Sequence, residues 1–224
     1  MSFLSRLEDA VEFAENPEPR CPCVLLLDTS GSMQGDPLDA MLHGLEAFRF
    51  DLAVDPLAAR RVEVAVVSFS SQVKLVQDFT SPDRFEVPFL NAEGLTHMGE
   101  GINRALDLVE ERKATYRSYD VGYYRPWIFM VTDGEPQGEP DDAIVRAAQR
   151  VRQAEQQKHA AFFAVGVENA NIEKLAKIAV RQPLRLKGLD FREMFVWLSR
   201  SMQSVAHSRP DEQITLQPTG WAEL

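Results

Sequence analysis

Cys23-Val-Leu-Leu-Leu-Asp28-Thr-Ser-Gly-Ser32 is the stretch on which the architecture turns. A short apolar β-rich run ends abruptly in a carboxylate and a Gly-containing polar turn. A helical pattern follows over 37–53, with Leu38, Met41, Leu42, Leu45 and Phe48 at helical spacing. The same alternation then repeats along the chain. Strand patterns occupy 61–69, 73–77, 127–132, 160–167 and 184–187, and helical patterns occupy 98–115, 141–158, 171–180 and 191–206. Asp141 or Asp142 offers a cap for the helix over 141–158. Short strands alternating with helices indicate an α/β domain with a mostly parallel sheet covered on both faces. Ser70-Ser71 is too short for a parallel crossover, so the 73–77 strand pairs antiparallel to 61–69 at the edge. The expected sheet has six strands in the order 3-2-1-4-5-6, with strand 3 antiparallel. The most apolar strand, Trp127-Ile-Phe-Met-Val-Thr132, is expected near the centre.

The chain has 224 residues, of which 45% are hydrophobic and 26% charged, enough for one well-cored domain without disulfide or metal staples. The reading divides it into an N-terminal extension with a short helix over 1–19, a domain over 20–209 and a tail over 210–224. No internal repeat or low-complexity segment interrupts this plan. Val24–Leu27 is far too short for a membrane span, and residues 1–20 lack the apolar core of a secretory signal, so a cytoplasmic protein is expected. Net charge is −10 and unevenly spread. Residues 1–145 carry 12 basic and 26 acidic side chains, whereas residues 146–209 carry 12 basic and 5 acidic ones. The acidic part argues against a nucleic-acid partner. The basic part reads as a solvated helix face or as a surface for an acidic protein.

The chemistry gathers where strands end. In open α/β sheets, ligands sit beyond the carboxyl ends of the strands, where strand order reverses. Asp28, Ser30 and Ser32 alternate, so an extended turn can aim three oxygens at one point, with Gly31 allowing a turn that a Cβ would resist. Thr132-Asp133-Gly134 brings a second carboxylate to the same edge, and the long loop over 78–95 delivers Gly94-Leu-Thr96-His-Met-Gly99 just before a helix. Two carboxylates and three hydroxyls form an all-oxygen set that suits a hard cation: Mg²⁺ first, with Ca²⁺ or Mn²⁺ as alternatives. Mg²⁺ in such a set keeps a coordination position for water or an outside oxygen.

Asp28-x-Ser30-x-Ser32, Thr96 within Gly-x-Thr-x-x-Gly, and Asp133 within Thr-Asp-Gly together resemble the metal-ion-dependent adhesion site of von Willebrand factor A domains. The resemblance covers about residues 20–207 and implies a three-layer Rossmann-like fold. It also implies a divalent metal bound by Asp28, Ser30, Ser32, Thr96 and Asp133, the carboxylates binding directly or through water. A protein partner would then supply a Glu or Asp to complete the metal's shell. More narrowly, Arg125-Pro-Trp-Ile-Phe-Met-Val-Thr-Asp-Gly-Glu-Pro136 and the Gly220-Trp221 tail resemble TerY-type proteins of bacterial tellurium-resistance systems. That likeness implies an adaptor in stress signalling beside a protein kinase and a PP2C-type phosphatase.

Two other readings stand beside this one. A vWA partner of an AAA+ (MoxR-like) chaperone would share the fold. A metal-dependent hydrolase would need a nucleophile and base, and Ser30 occupies the position where a dehalogenase-type phosphatase carries its second Asp. No Gly-x-Ser-x-Gly, P-loop or His-Glu-x-x-His motif is present, so the reading is of a non-enzyme. His97 adjoins Thr96 and reads as a rim residue. Cys21 and Cys23 lie too close in sequence for an unstrained disulfide and read as packing. Tyr116, Tyr119, Tyr123 and Tyr124 fall at the edge opposite the metal, either packing on the domain itself or facing a partner. Ile214, Leu216 and Trp221 are expected to lie against the surface without extending the sheet.

Overall fold

The computed structural model describes residues 10–168, 170–210 and 212–223. The first strand, β1 (Cys21–Asp28), is buried along its whole length. It pairs in parallel with β2 (Val62–Phe69) on one side and β4 (Trp127–Thr132) on the other. Beyond β2 lies β3 (Val73–Thr80), antiparallel at the edge. Beyond β4 lie β5 (Ala161–Gly166), parallel, and β6 (Leu184–Leu186), also parallel. This is the expected order, with β3 three residues longer and the loop after it correspondingly shorter.

The sequence expectation of six strands is corrected to seven. The chain end adds β7 (Ala222–Glu223), antiparallel to β6, giving β3-β2-β1-β4-β5-β6-β7. The tail therefore joins the sheet that it was expected only to touch. The physical reason lies in Trp221, which is 3% exposed and packs edge-on against Trp197 with ring centroids 5.6 Å apart. Its backbone oxygen accepts from Lys187 N at 3.1 Å, which lays the next two residues beside β6. Ile214 and Leu216 pack against the core as well.

Because β1 is covered on both faces, its alternate residues enter two separate cores. Cys21, Cys23, Leu25 and Leu27 face helices α1 (Asp36–Val54) and α5 (Phe191–Ala206). Val24 and Leu26 face α2 (Met98–Ser118), α3 (Asp141–Gln156) and α4 (Ile172–Ile178). Both cysteines are free and buried, as expected of packing residues. Burying a Phe such as Phe195 or Phe162 contributes about 2 kcal/mol each, so the two cores hold the sheet from both sides. Helix α3 is not capped by Asp141 or Asp142: Pro140 is its N-cap, and the two aspartates sit in the first turn, where their charge favours the helix dipole. Among the described residues no helix is long and apolar enough to cross a membrane.

At the edge where the parallel strands begin, an ionic cluster is sealed inside. Glu63 of β2 accepts from Arg20 Nε at 2.9 Å, Arg112 Nε at 2.8 Å and the Tyr116 hydroxyl at 2.5 Å. Phe13, from a helical segment over 10–15, stacks on both guanidinium groups, each 5.2 Å from its ring centre. The tyrosines thus pack on the domain itself, Tyr116 and Tyr124 buried, Tyr119 and Tyr123 partly so.

Candidate functional site

At the opposite edge, three loops are stitched together. The turn after β1 takes the 93–94 loop through Glu93 N to Thr29 O (2.9 Å) and Gly31 N to Gly94 O (3.0 Å). Gly94 has φ +79°, and a Cβ there would meet Ser71 Oγ at 2.4 Å, so this crossing requires glycine. Ser71 Oγ in turn accepts from Leu95 N at 2.8 Å. The loop after β4 joins through paired backbone bonds between Thr96 and Gln137, at 2.9 and 3.3 Å.

These loops bring the five sequence-chosen residues to one edge. Asp28 is fully buried, its Oδ1 accepting from Ser30 N at 2.8 Å and its Oδ2 from Thr132 Oγ1 at 2.5 Å. Ser30 Oγ lies 3.1 Å from Ser32 Oγ, and Ser32 Oγ donates to Asp133 Oδ1 at 2.8 Å. Thr96, 3% exposed, faces Asp28 across Gly134. A Cβ on Gly134 would sit 3.4 Å from Thr96 Oγ1 and 3.8 Å from Asp28 Oδ2. The absent side chain leaves a cradle between a hydroxyl and a carboxylate.

Electrostatics mark the same spot. Burial pushes the Asp28 carboxyl up to about 6, with the Asp133 charge adding to it and hydrogen bonds from Ser30 and Thr132 offsetting part. Burial also raises Asp133, and Glu168 adds repulsion. No Lys, Arg or His among the described residues pairs with either carboxylate. Nor do the described residues contain a group of three or more His, Cys, Asp or Glu that could hold a metal ion. The donor set is therefore two carboxylates with hydroxyls, which fits a hard cation and not a soft one. A buried carboxylate without a cation, beside a cradle that glycine leaves open, is the kind of place a divalent ion suits.

Two contributors went unread in the sequence. Thr132 reads in the sequence as the strand end and as part of Thr-Asp-Gly, with no role for its hydroxyl, yet that hydroxyl anchors Asp28. Glu139 accepts from Gly99 N (2.8 Å) and Glu100 N (3.0 Å), closing the start of α2 from 40 residues away. The signal available was the start of α2 itself, where His97 stands at the N-cap and makes no side-chain cap bond. His97 Nδ1 lies 3.0 Å from Glu100 Oε2, a rim position as expected.

A model of the von Willebrand factor type A domain matches residues 23–186. The chain belongs to that family. Compared with the curated protein sequences, this vWA chain has no significant match. Among solved structures it is similar to a von Willebrand factor type A protein from Catenulispora acidiphila (20% identity, TM-score 0.58), covering 80% of this chain and 42% of that one. It is also similar to the ArnB paralog VWA2 from Sulfolobus acidocaldarius (15%, TM-score 0.53; 81% and 44%). A third is the pilus adhesin SpaC from Lactobacillus rhamnosus GG (13%, TM-score 0.66; 84% and 30%). The chain spans less than half the length of each of these three, and at such identities the likeness concerns the fold alone. The α/β Rossmann-like vWA architecture is thereby established, in a family whose domains often serve as protein-interaction modules.

Proposed function

We propose that this vWA chain is a non-enzymatic protein-binding module whose docking depends on a divalent cation, Mg²⁺ in the first place. Asp28, Ser30, Ser32, Thr96 and Asp133 would hold the ion, and the ion would supply an open coordination position for a Glu or Asp of a protein partner. The observation that carries this reading is Asp28, a fully buried carboxylate without a cationic partner among the described residues, facing Thr96 over the Gly134 cradle. The chain's own residues do the positioning. Thr132 and Ser30 N fix both oxygens of Asp28, Ser32 ties the β1 turn to Asp133, and the Thr96–Gln137 pairing holds the third loop in place.

Catalysis has little support here. Ser30 bonds to Ser32, Ser32 bonds to Asp133, and His97 faces Glu100, so neither of these serines stands against His97 as a base. The resemblance of residues 125–136 to TerY-type proteins favours a kinase and a PP2C-type phosphatase as partners in a cytoplasmic stress-signalling system. The test is calorimetric. Mg²⁺ and Mn²⁺ are titrated into the wild-type chain and into Asp28→Asn, and partners captured from a bacterial lysate are then titrated in Mg²⁺ and in EDTA. Ion binding by the wild type alone, with partner affinity lost in EDTA, supports the reading. Equal partner affinity in both buffers refutes it.

A further inference from the structure

At the edge where the parallel strands begin, far from Asp28, lies a groove of about 810 Å³. Its floor is formed by Trp127 and Phe163, whose rings lie 4.6 Å apart, and one wall is the chain's own segment 212–216. Five basic side chains line it, Lys113, Arg117, Arg125, Lys158 and Arg181, against the carboxylates of Glu110 and Glu212. Glu155 is shared between Arg125 and Arg181, so positive charge remains in excess. Lys158 and Arg117 are exposed, and among the described residues Arg117's side chain bonds a neutral partner, the Tyr123 hydroxyl. Arg125 gives its terminal nitrogen to Glu155 and to Ala160 O, while its buried Nε has no hydrogen-bond partner among the described residues. On a chain of net charge −10 this is a basic island.

The wall itself has strand character. Ile214 and Leu216 are partly buried against the core while Gln213, Thr215 and Gln217 are exposed, a period of two. Yet among the described residues no backbone N–H or C=O of residues 213–216 pairs with another backbone group. An extended segment with free peptide groups beside an aromatic floor is what strand addition uses: main-chain bonds for affinity, alternate side chains for choice. The basic lining sets that choice.

We infer that this groove binds an extended acidic peptide segment of a protein partner, independently of any metal at the Asp28 edge. Apolar side chains of the peptide lie along the aromatic floor beside Trp127, and its carboxylates meet the exposed Arg117 and Lys158. The inference goes beyond the metal-dependent reading and does not rest on it.

Fluorescence anisotropy with a labelled peptide of alternating Glu and Val tests it, with the Lys–Val peptide as control. The acidic probe binds equally in Mg²⁺ and EDTA, weakens as salt rises, and the control does not bind. Joint charge reversal at two exposed positions, Arg117→Glu with Lys158→Glu, weakens binding by about tenfold or more with the circular dichroism spectrum unchanged. Thr215→Pro, which removes an exposed backbone donor, weakens it as well. Four results overturn the proposal. These are no binding of the acidic probe up to about 1 mM, loss of binding in EDTA, indifference to charge reversal, and occupation of the groove by ATP or by a second copy of the chain while the peptide stays free.

Discussion

Replacing Glu63 by Gln removes one negative charge and almost no volume, yet the structure makes it one of the costliest changes available. The side chain is 1% exposed and serves three partners at once, Arg20 on Oε1 and both Arg112 and Tyr116 on Oε2. Arg20 is as buried as Glu63, and Arg112 nearly so, with Phe13 covering both guanidinium groups. The amide takes from two enclosed guanidinium groups the carboxylate that both of them bond, and turns a donor towards a donor. Breaking a buried pair in this way costs about 3–5 kcal/mol. The three contacts do not add, because a single carboxylate makes them all. Against a total stability of roughly 5–15 kcal/mol, such a loss is a large share.

Urea unfolding measures it. With an m-value of roughly 2.5 kcal/mol/M, the midpoint of Glu63→Gln falls by about 1–2 M. The combined replacement Glu63→Met, Arg20→Met and Arg112→Met removes the three bonded charges together and recovers most of the loss, since a well-packed apolar core is a fair substitute for a buried ion pair. The ion-dependent increment of stability at the other edge stays intact. Glu63 pairs with Pro22 while Phe69 pairs with Asp28, and six residues of strand separate them by roughly 20 Å. A midpoint shift below about 0.4 M would refute the reasoning, because it would mean that water reaches the cluster and that its pairs behave as surface pairs.

Three further outcomes are expected. Mg²⁺ at about a hundred times its dissociation constant adds roughly 2.7 kcal/mol and raises the melting temperature by about 5–10 °C, read by scanning fluorimetry; Asp28→Ala abolishes the shift, and Thr96→Ala reduces it while leaving the metal-free protein folded. Gly134→Val fills the space between Thr96 Oγ1 and Asp28 Oδ2, so calorimetry finds ion binding lost with the fold retained. Asp55 gives the pH dependence: partial burial acts to raise its carboxyl, but the Ala58 N–H, the His207 ring and the Leu57 N–H outweigh that and hold it below its ordinary value. Its contribution is present above the unfolded value near 3.8 and lost as pH falls through the lower folded value. The stability difference between wild type and Asp55→Asn is therefore below about 1 kcal/mol at pH 7, because the group is solvent-screened, and disappears in acid once the pH has fallen through the folded value.

What the sequence made legible follows from period and position. β1 and β4 are apolar on both faces, so their central place reads directly from composition, and the carboxylates that end the strands stand out because nothing apolar follows them. The five site residues come to one edge because strand ends are fixed by the strands. Other features left no local trace. β7 is two residues long and exists because Trp221 packs on Trp197, a contact spanning 24 positions of sequence. Glu63 lies in an apolar strand, where a lone acidic residue reads as solvent-facing; its partners come from positions 20, 112 and 116. Glu139 reaches α2 across the site for the same reason. Long-range polar pairing has no periodicity to read.

The two candidate surfaces are linked by one strand, and that linkage constrains how they can work together. β4 begins with Trp127 in the groove floor and ends with Thr132 bonded to Asp28, so five residue steps, or roughly 17 Å, separate them along a rigid central strand. Surfaces at opposite ends of a strand cannot compete for the same short segment of a partner. Their electrostatics also differ in kind. On these proposals, docking at the Asp28 edge would need a cation to overcome one buried and one half-buried carboxylate, while the groove would attract acidic chains through fixed guanidinium and ammonium groups whatever the ion. The two surfaces should therefore bind additively, as distant sites with no shared contacts do. A chain built this way would bridge two acidic partners, with the metal governing one contact and ionic strength the other.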